Sequence, residues 1–127
     1  MKPKHFLLPS LLVLVGLVCS CQSVPHDPRV RLEPGLRGTV SVTNVITMTN
    51  DADFARIQVT LYNRTSQIRH VEARVSWLDF QGMAQDSLTE NWQFISLGSY
   101  GEARFQSTAP NSKTKDFRVY IQRKRTN

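Results

Sequence analysis

From Arg37 to Arg123 the chain alternates apolar and polar residues again and again, the period of a strand buried on one face. Ala55, Ile57, Val59 and Leu61 interleave with Arg56, Gln58, Thr60 and Tyr62. Val71, Ala73, Val75 and Trp77 interleave with Glu72, Arg74, Ser76 and Leu78, and Phe117, Val119 and Ile121 with Arg118, Tyr120 and Gln122. Ala103 and Phe105 form a shorter run, and Trp92, Phe94 and Ile95 mark another. Val40 and Val42, then Ile46 and Met48, are expected on one face of a first strand interrupted near Asn44. Turn residues separate the runs: Asn50-Asp51, Asn63 to Ser66, Gln81-Gly82, Gly98 to Gly101 and Ala109 to Ser112. No window longer than about eight residues keeps a helical period, although Met83 to Asn91 could hold one turn. Strands with one apolar face must close two such faces on each other. The expectation is all-β: an immunoglobulin-like antiparallel β-sandwich of six or seven strands with Trp77 in its core. A small closed barrel is the other arrangement open to such a pattern.

The segment ahead of this domain reads as an export signal. Lys2 and Lys4 precede an apolar stretch from Phe6 to Val18, shorter than the roughly 20 residues that cross a bilayer. The chain's two cysteines come at once after it, at Cys19 and Cys21. A disulfide across one intervening residue would be badly strained. Val18-Cys19-Ser20-Cys21 instead reads as a lipobox, with small Ser20 before the cysteine whose thiol takes a diacylglyceryl group. The competing frame, Gly16 to Cys19, places β-branched Val18 at the scissile position. Residues 1–20 are thus expected to be removed and Cys21 lipidated. Loss of two lysines and no acid lowers the formal charge from +6 to +4. In an exported protein such a basic surface meets phospholipid headgroups, lipopolysaccharide phosphates and cell-wall carboxylates, not nucleic acid. Gln22, where an inner-membrane lipoprotein carries Asp, predicts an outer-membrane anchor with the domain facing the periplasm. Pro25, Pro28, Pro34 and Gly35 suggest that residues 21–36 are a tether, residues 37–123 the sandwich and residues 124–127 a basic tail.

Catalytic chemistry finds few candidates. After processing only His26 and His70 remain, one in the tether and one on an outward strand position, and the thiol of Cys21 is consumed by lipid. The carboxylates Asp51 with Asp53, and Asp79 with Asp86, sit beside turns, where such side chains ordinarily bond local amides. His70 with Met48 or Met83 could suggest soft metal ligation, but Met48 is expected in the core and Met83 in a loop. We therefore expect no enzyme, no cofactor and no metal. Trp92, at the end of the Asp86 to Gln93 stretch, is the candidate interface residue, since exposed aromatics anchor partners or stack on sugar rings. Arg123-Lys124-Arg125 adds a basic terminus that could touch anionic headgroups.

Several of these segments together resemble the YcfL family, small lipoproteins of Gram-negative bacteria grouped as a domain of unknown function. The likeness rests on the lipoprotein signal, Ile57 to Asn63, Val75 to Asp79 with Gly82, Trp92, and Ala109-Pro110-Asn111 ahead of Asp116 to Arg118. It covers roughly Thr39 to Gln122 and implies a periplasmic immunoglobulin-like sandwich with no known activity or functional residue. The expected function is a non-enzymatic interaction module of the cell envelope. Its expected partners are the membrane, through its N-terminal lipid, and an envelope protein or peptidoglycan-associated partner. The alternative is a ligand-binding module for cell-wall glycan or lipopolysaccharide. Cys21→Ser should leave an uncleaved, unlipidated protein, whereas Cys19→Ser should be processed normally. Mass spectrometry showing equal acylation after Cys21→Ser would refute the lipobox.

Overall fold

The computed structural model describes Pro3, residues 26–85 and residues 91–125; Cys21, the signal segment and Asp86 to Glu90 lie outside the described residues. Seven strands succeed one another: β1 (Val30–Leu32), β2 (Val40–Thr49), β3 (Ala55–Asn63), β4 (Arg69–Asp79), β5 (Gln93–Leu97), β6 (Glu102–Thr108) and β7 (Thr114–Arg123). They form two sheets, β1-β7-β4-β5 and β2-β3-β6, closed face to face as an immunoglobulin-like sandwich. All pairs are antiparallel except β1 with β7, which run parallel from Val30↔Val119 to Leu32↔Ile121.

The apolar series of β3, β4, β6 and β7 point inward as their alternation predicts. Ile57, Val59, Leu61, Val71, Ala73, Val75, Phe105, Phe117, Val119 and Ile121 are all buried between the sheets. Trp77, 1% exposed, fills the centre. Its ring meets the edge of Phe117 with centroids 5.9 Å apart, and its indole N–H donates to the Ser107 hydroxyl at 3.2 Å. That bond matters, because a buried indole without an acceptor would lose the hydrogen bond it makes to water.

Two expectations are corrected. The chain from Asp27 onward is part of the domain and not a tether: Val30 and Leu36 are buried, and a short 3-10 turn at Pro34–Leu36 leads into β2. Val119 N–H donates to the Arg29 carbonyl at 2.8 Å, and Glu33 N–H to the Ile121 carbonyl at 2.8 Å, so β7 holds this segment down. Asp27 clamps its start through a two-pronged contact with Arg29, whose hydrogen bonds hold the Asp27 carboxyl below its usual range despite some burial. In β2 the register slips between Val42 and Asn44, and that bulge reverses the phase of the residues beyond it. Val45 therefore packs on the core, while Ile46 and Met48 face out. In β5 the inward residues are Ile95 and Leu97, which leaves Phe94 exposed.

Trp77→Ala should cost about 3–5 kcal/mol and leave the domain largely unfolded. Arg74→Ala, on the solvent face of the same strand, should shift stability by no more than about 1 kcal/mol. Urea melts of both variants check the assignment, and a Trp77→Ala protein as stable as its parent would refute the core.

Candidate functional site

Two surfaces emerge from this architecture. The first is the outer face of the four-stranded sheet. Tyr120 of β7 stands abreast of Arg31 on β1 and Arg74 on β4, because those residues are register partners. Trp92, half-buried just before β5, meets Tyr120 edge-on with centroids 6.4 Å apart. One row along, Phe94 is 67% exposed and carries the Lys124 ammonium over its ring at 4.8 Å. Between Phe94 and Gln122, its register partners, the acid Glu72 is buried and accepts a hydrogen bond of 2.5 Å from Gln122. The face thus combines three aromatic rings with Arg31, Arg74, Arg118 and Lys124; Glu72 is withdrawn from solvent, and Asp116 pairs with Arg118 at 2.8 Å. Trp92 is neither core nor fully exposed.

The second surface is the end of the sandwich where β3 passes into β4 and β5 into β6. Asn63 continues the inward series Ile57, Val59, Leu61 by one more step and is completely buried. Its amide group donates to the carbonyls of Gln67 at 2.7 Å, Leu97 at 3.3 Å and Gly98 at 2.8 Å. Its carbonyl oxygen accepts from the Thr65 N–H and hydroxyl at 3.0 and 2.8 Å. The loops are further cross-bonded, Tyr100 N–H to the Thr65 carbonyl and Asn63 N–H to the Gly101 carbonyl, both at 2.9 Å. Fully satisfied buried networks of this sort fix the loops that carry them. Tyr100 sits there at φ 50°, a conformation unfavourable for a bulky residue, with 59% of its surface exposed; Ile68 in the neighbouring loop is 65% exposed.

The other residues singled out from sequence are scattered. Cys21 and Asp86 lie outside the described residues. His70 is exposed on β4 with Nδ1 2.9 Å from the Ser96 hydroxyl. Met48 and Met83 are exposed on different elements, and no cluster of three metal-ligating side chains occurs among the described residues. Asp79 caps its own loop, accepting from the N–H groups of Gln81 and Met83 at 2.9 and 3.0 Å. That loop turns at Gly82, where φ is +78°, and lifts Phe80 and Met83 into solvent. Asp116 is held below its usual range: partial burial opposes this, but the Arg118 side chain and the Phe117 N–H outweigh it. Sequence reasoning missed Asn63 as a structural hub. Its in-phase position after Leu61 is the signal that could have shown it.

Comparison with known proteins gives a consistent picture. The family described as "Protein of unknown function (DUF1425)" matches residues 29–123. The crystal structure of Campylobacter jejuni Cj0090 is similar at 24% identity with a TM-score of 0.65, covering 77% of this chain and all of that one. The crystal structure of a DUF1425 family member from Shewanella sp. pv-4 is similar at 18% identity with a TM-score of 0.61, covering 69% of this chain and 81% of that one. At these identities the two structures speak to the fold. Comparison with curated proteins finds no match.

Asn63→Ala should cost roughly 2–4 kcal/mol by stranding buried carbonyls, and should speed hydrogen exchange at the Thr65 and Tyr100 amides. A variant with parental stability and exchange would show that the hub holds nothing.

Proposed function

This chain belongs to the DUF1425 family, proteins of unknown function, and from that premise we propose that it is a lipid-anchored, non-enzymatic interaction module of the bacterial cell envelope. The anchor reading rests on the basic n-region, the apolar run and Cys21, and the finer kinship with YcfL lipoproteins on the motifs from Ile57 to Arg118. Gln22 after that cysteine supports attachment to the outer membrane with the domain in the periplasm. The observation that carries the binding role is the outer face of the four-stranded sheet, where Trp92, Tyr120 and Phe94 stand among cations. Aromatic residues and arginine are the residues that dominate binding energy at protein interfaces.

A second reading uses the same face to bind cell-wall glycan or lipopolysaccharide. The half-exposed Trp92 favours it, since an indole ring stacks on sugar rings while neighbouring cations meet acidic groups.

Affinity purification of the lipidated protein from cross-linked envelopes should retain one specific protein neighbour. Trp92→Ala with Tyr120→Ala should lose it while stability stays within about 1 kcal/mol of the parent. Retention of the neighbour by that double variant would reject this face as the interface. Recovery of the wild-type protein in the soluble fraction would reject the anchor. Under the second reading, titrated lipopolysaccharide or muropeptide shifts tryptophan emission, and Trp92→Phe abolishes the shift.

A further inference from the structure

Charge is distributed unevenly along the sandwich. The strand register separates two ends. Asp27, the β2–β3 turn, the Asp79 loop and the β6–β7 connection lie at the end where the chain enters, because Asp79 pairs with Thr114 and Ala109 N–H bonds the Ala55 carbonyl. The 3-10 turn, the β3–β4 and β5–β6 loops and the C-terminal residues lie at the other, because Val71 pairs with Arg123, Val40 with Asn63 and Arg69 with Leu97. The near end sets Asp27, Asp51, Asp53, Asp79 and Asp116 against Arg29, Arg56, Lys113, Lys115 and Arg118, so its charges balance, and Arg29 and Arg118 are engaged with Asp27 and Asp116. The distal end holds Arg37, Arg64, Arg69, Arg123, Lys124 and Arg125, against Glu33 and Glu102. Among the described residues none of those six cations makes an ion pair. Glu33 is itself occupied, its carboxylate accepting the Arg123 N–H at 2.9 Å.

This pole has a built framework. The Asn63 network fixes the loops that carry Arg64 and Tyr100, and the Arg69 guanidinium donates to the Thr65 hydroxyl at 3.2 Å. Arg123, Lys124 and Arg125 surround a hollow beside Gly35 and Glu33, where a guanidinium nitrogen of Arg123 comes within 3.7 Å of where a side chain on Gly35 would begin. Cations without acid partners on a rigid support, together with an exposed tyrosine held at positive φ, are poised for a polyanion.

Geometry decides which polyanion. Five residues separate Cys21 from Asp27, so an anchored chain brings its near end within about 20 Å of the bilayer. An eleven-residue β4 then sets the basic pole roughly 35 Å further out. Electrostatic attraction fades over about 8 Å at physiological ionic strength, so the anchoring leaflet's own headgroups are out of range. The polymer facing an outer-membrane lipoprotein across that distance is the cell wall, whose stem peptides carry free carboxylates. Resting on the anchored-module reading above, we infer that the distal pole docks on the carboxylates of peptidoglycan stem peptides. The pole borders the Trp92 face at Lys124, whose ammonium lies over the Phe94 ring.

The test uses the full-length, processed lipoprotein in detergent and purified peptidoglycan sacculi stripped of bound protein. Wild type sediments with sacculi, more weakly as salt rises. Arg123→Gln with Arg125→Gln weakens sedimentation about tenfold, whereas Arg56→Gln with Lys113→Gln, the same charge loss at the near end, changes it less than about twofold. Sacculi with chemically amidated carboxylates lose the protein. Equal loss in both double variants would reduce the effect to net charge and overturn the assignment, as would undiminished binding to amidated sacculi. Tighter binding to phosphatidylglycerol vesicles than to sacculi, lost in the distal variant, would overturn it in favour of a lipid surface. Unchanged urea midpoints confirm that the variants fold. Membrane fractionation of the wild type reads the anchor separately, so failure of the anchor and failure of the pole give different results.

Discussion

The pairing of β4 with β7 is the constraint on which the rest of the molecule depends. It joins the middle of the chain to its end through a ladder running from Val71↔Arg123 to Asp79↔Thr114. It also brings Trp77 against Phe117 at the centre of the core. β1 has no partner until β7 is in place, so the first strand of the domain waits for the last. Long-range pairings of this kind are slow to form, because a long loop must close before any contact rewards it. Late closure is compatible with the export proposed above, in which the chain would cross a membrane unfolded.

How far this architecture was legible from sequence depends on how strictly each strand keeps its period. β3 and β6 alternate without interruption, as do β4 up to Leu78 and β7 from Asp116 on, so their inward faces can be read directly; a second bulge lies beyond, where Leu78 pairs with Asp116 and Asp79 with Thr114. The bulge between Val42 and Asn44 adds one residue to β2, and one residue is enough to exchange the two faces. Ile46 and Met48 consequently look like core in the sequence and are not. β1 was hidden by Pro28 and Pro34 on either side, since prolines so spaced normally mark a linker. Here they flank three residues that need only one edge of β7. Asn63 escaped notice for the opposite reason: its position fits the buried series, but its chemistry suggests a turn. It satisfies both, sitting in the core while bonding the turns above it.

The interior leaves little for function. Every described buried side-chain polar atom has a partner, and the core residues are committed to packing. The surfaces still open to a partner are the outer face around Trp92, the basic pole and the flank between the sheet edges. An open groove of about 1530 Å³ runs along that flank, lined by valines such as Val42 and Val45 and by polar and charged residues that include Arg31, Arg37 and Arg64. The edge strand beside it, β2, carries no charged side chain over ten residues. Its bulge is the protection it has against pairing with other strands.

The parallel pairing of β1 with β7 has a mechanical meaning. A pull on the chain at Asp27, resisted at the distal end, draws β1 and β7 in opposite directions along their common axis. Their hydrogen bonds, from Arg29–Val119 to Glu33–Ile121, then lie across the load and share it. An antiparallel first strand pulled from the same end would open bond by bond, like a zipper. The Asp27 clamp on Arg29 and the cation of Arg29 against Phe117 sit where the force would enter, at the first link to be strained. In the anchored module proposed above, a domain stretched between two layers of an envelope would be held at a strand whose direction resists being drawn out.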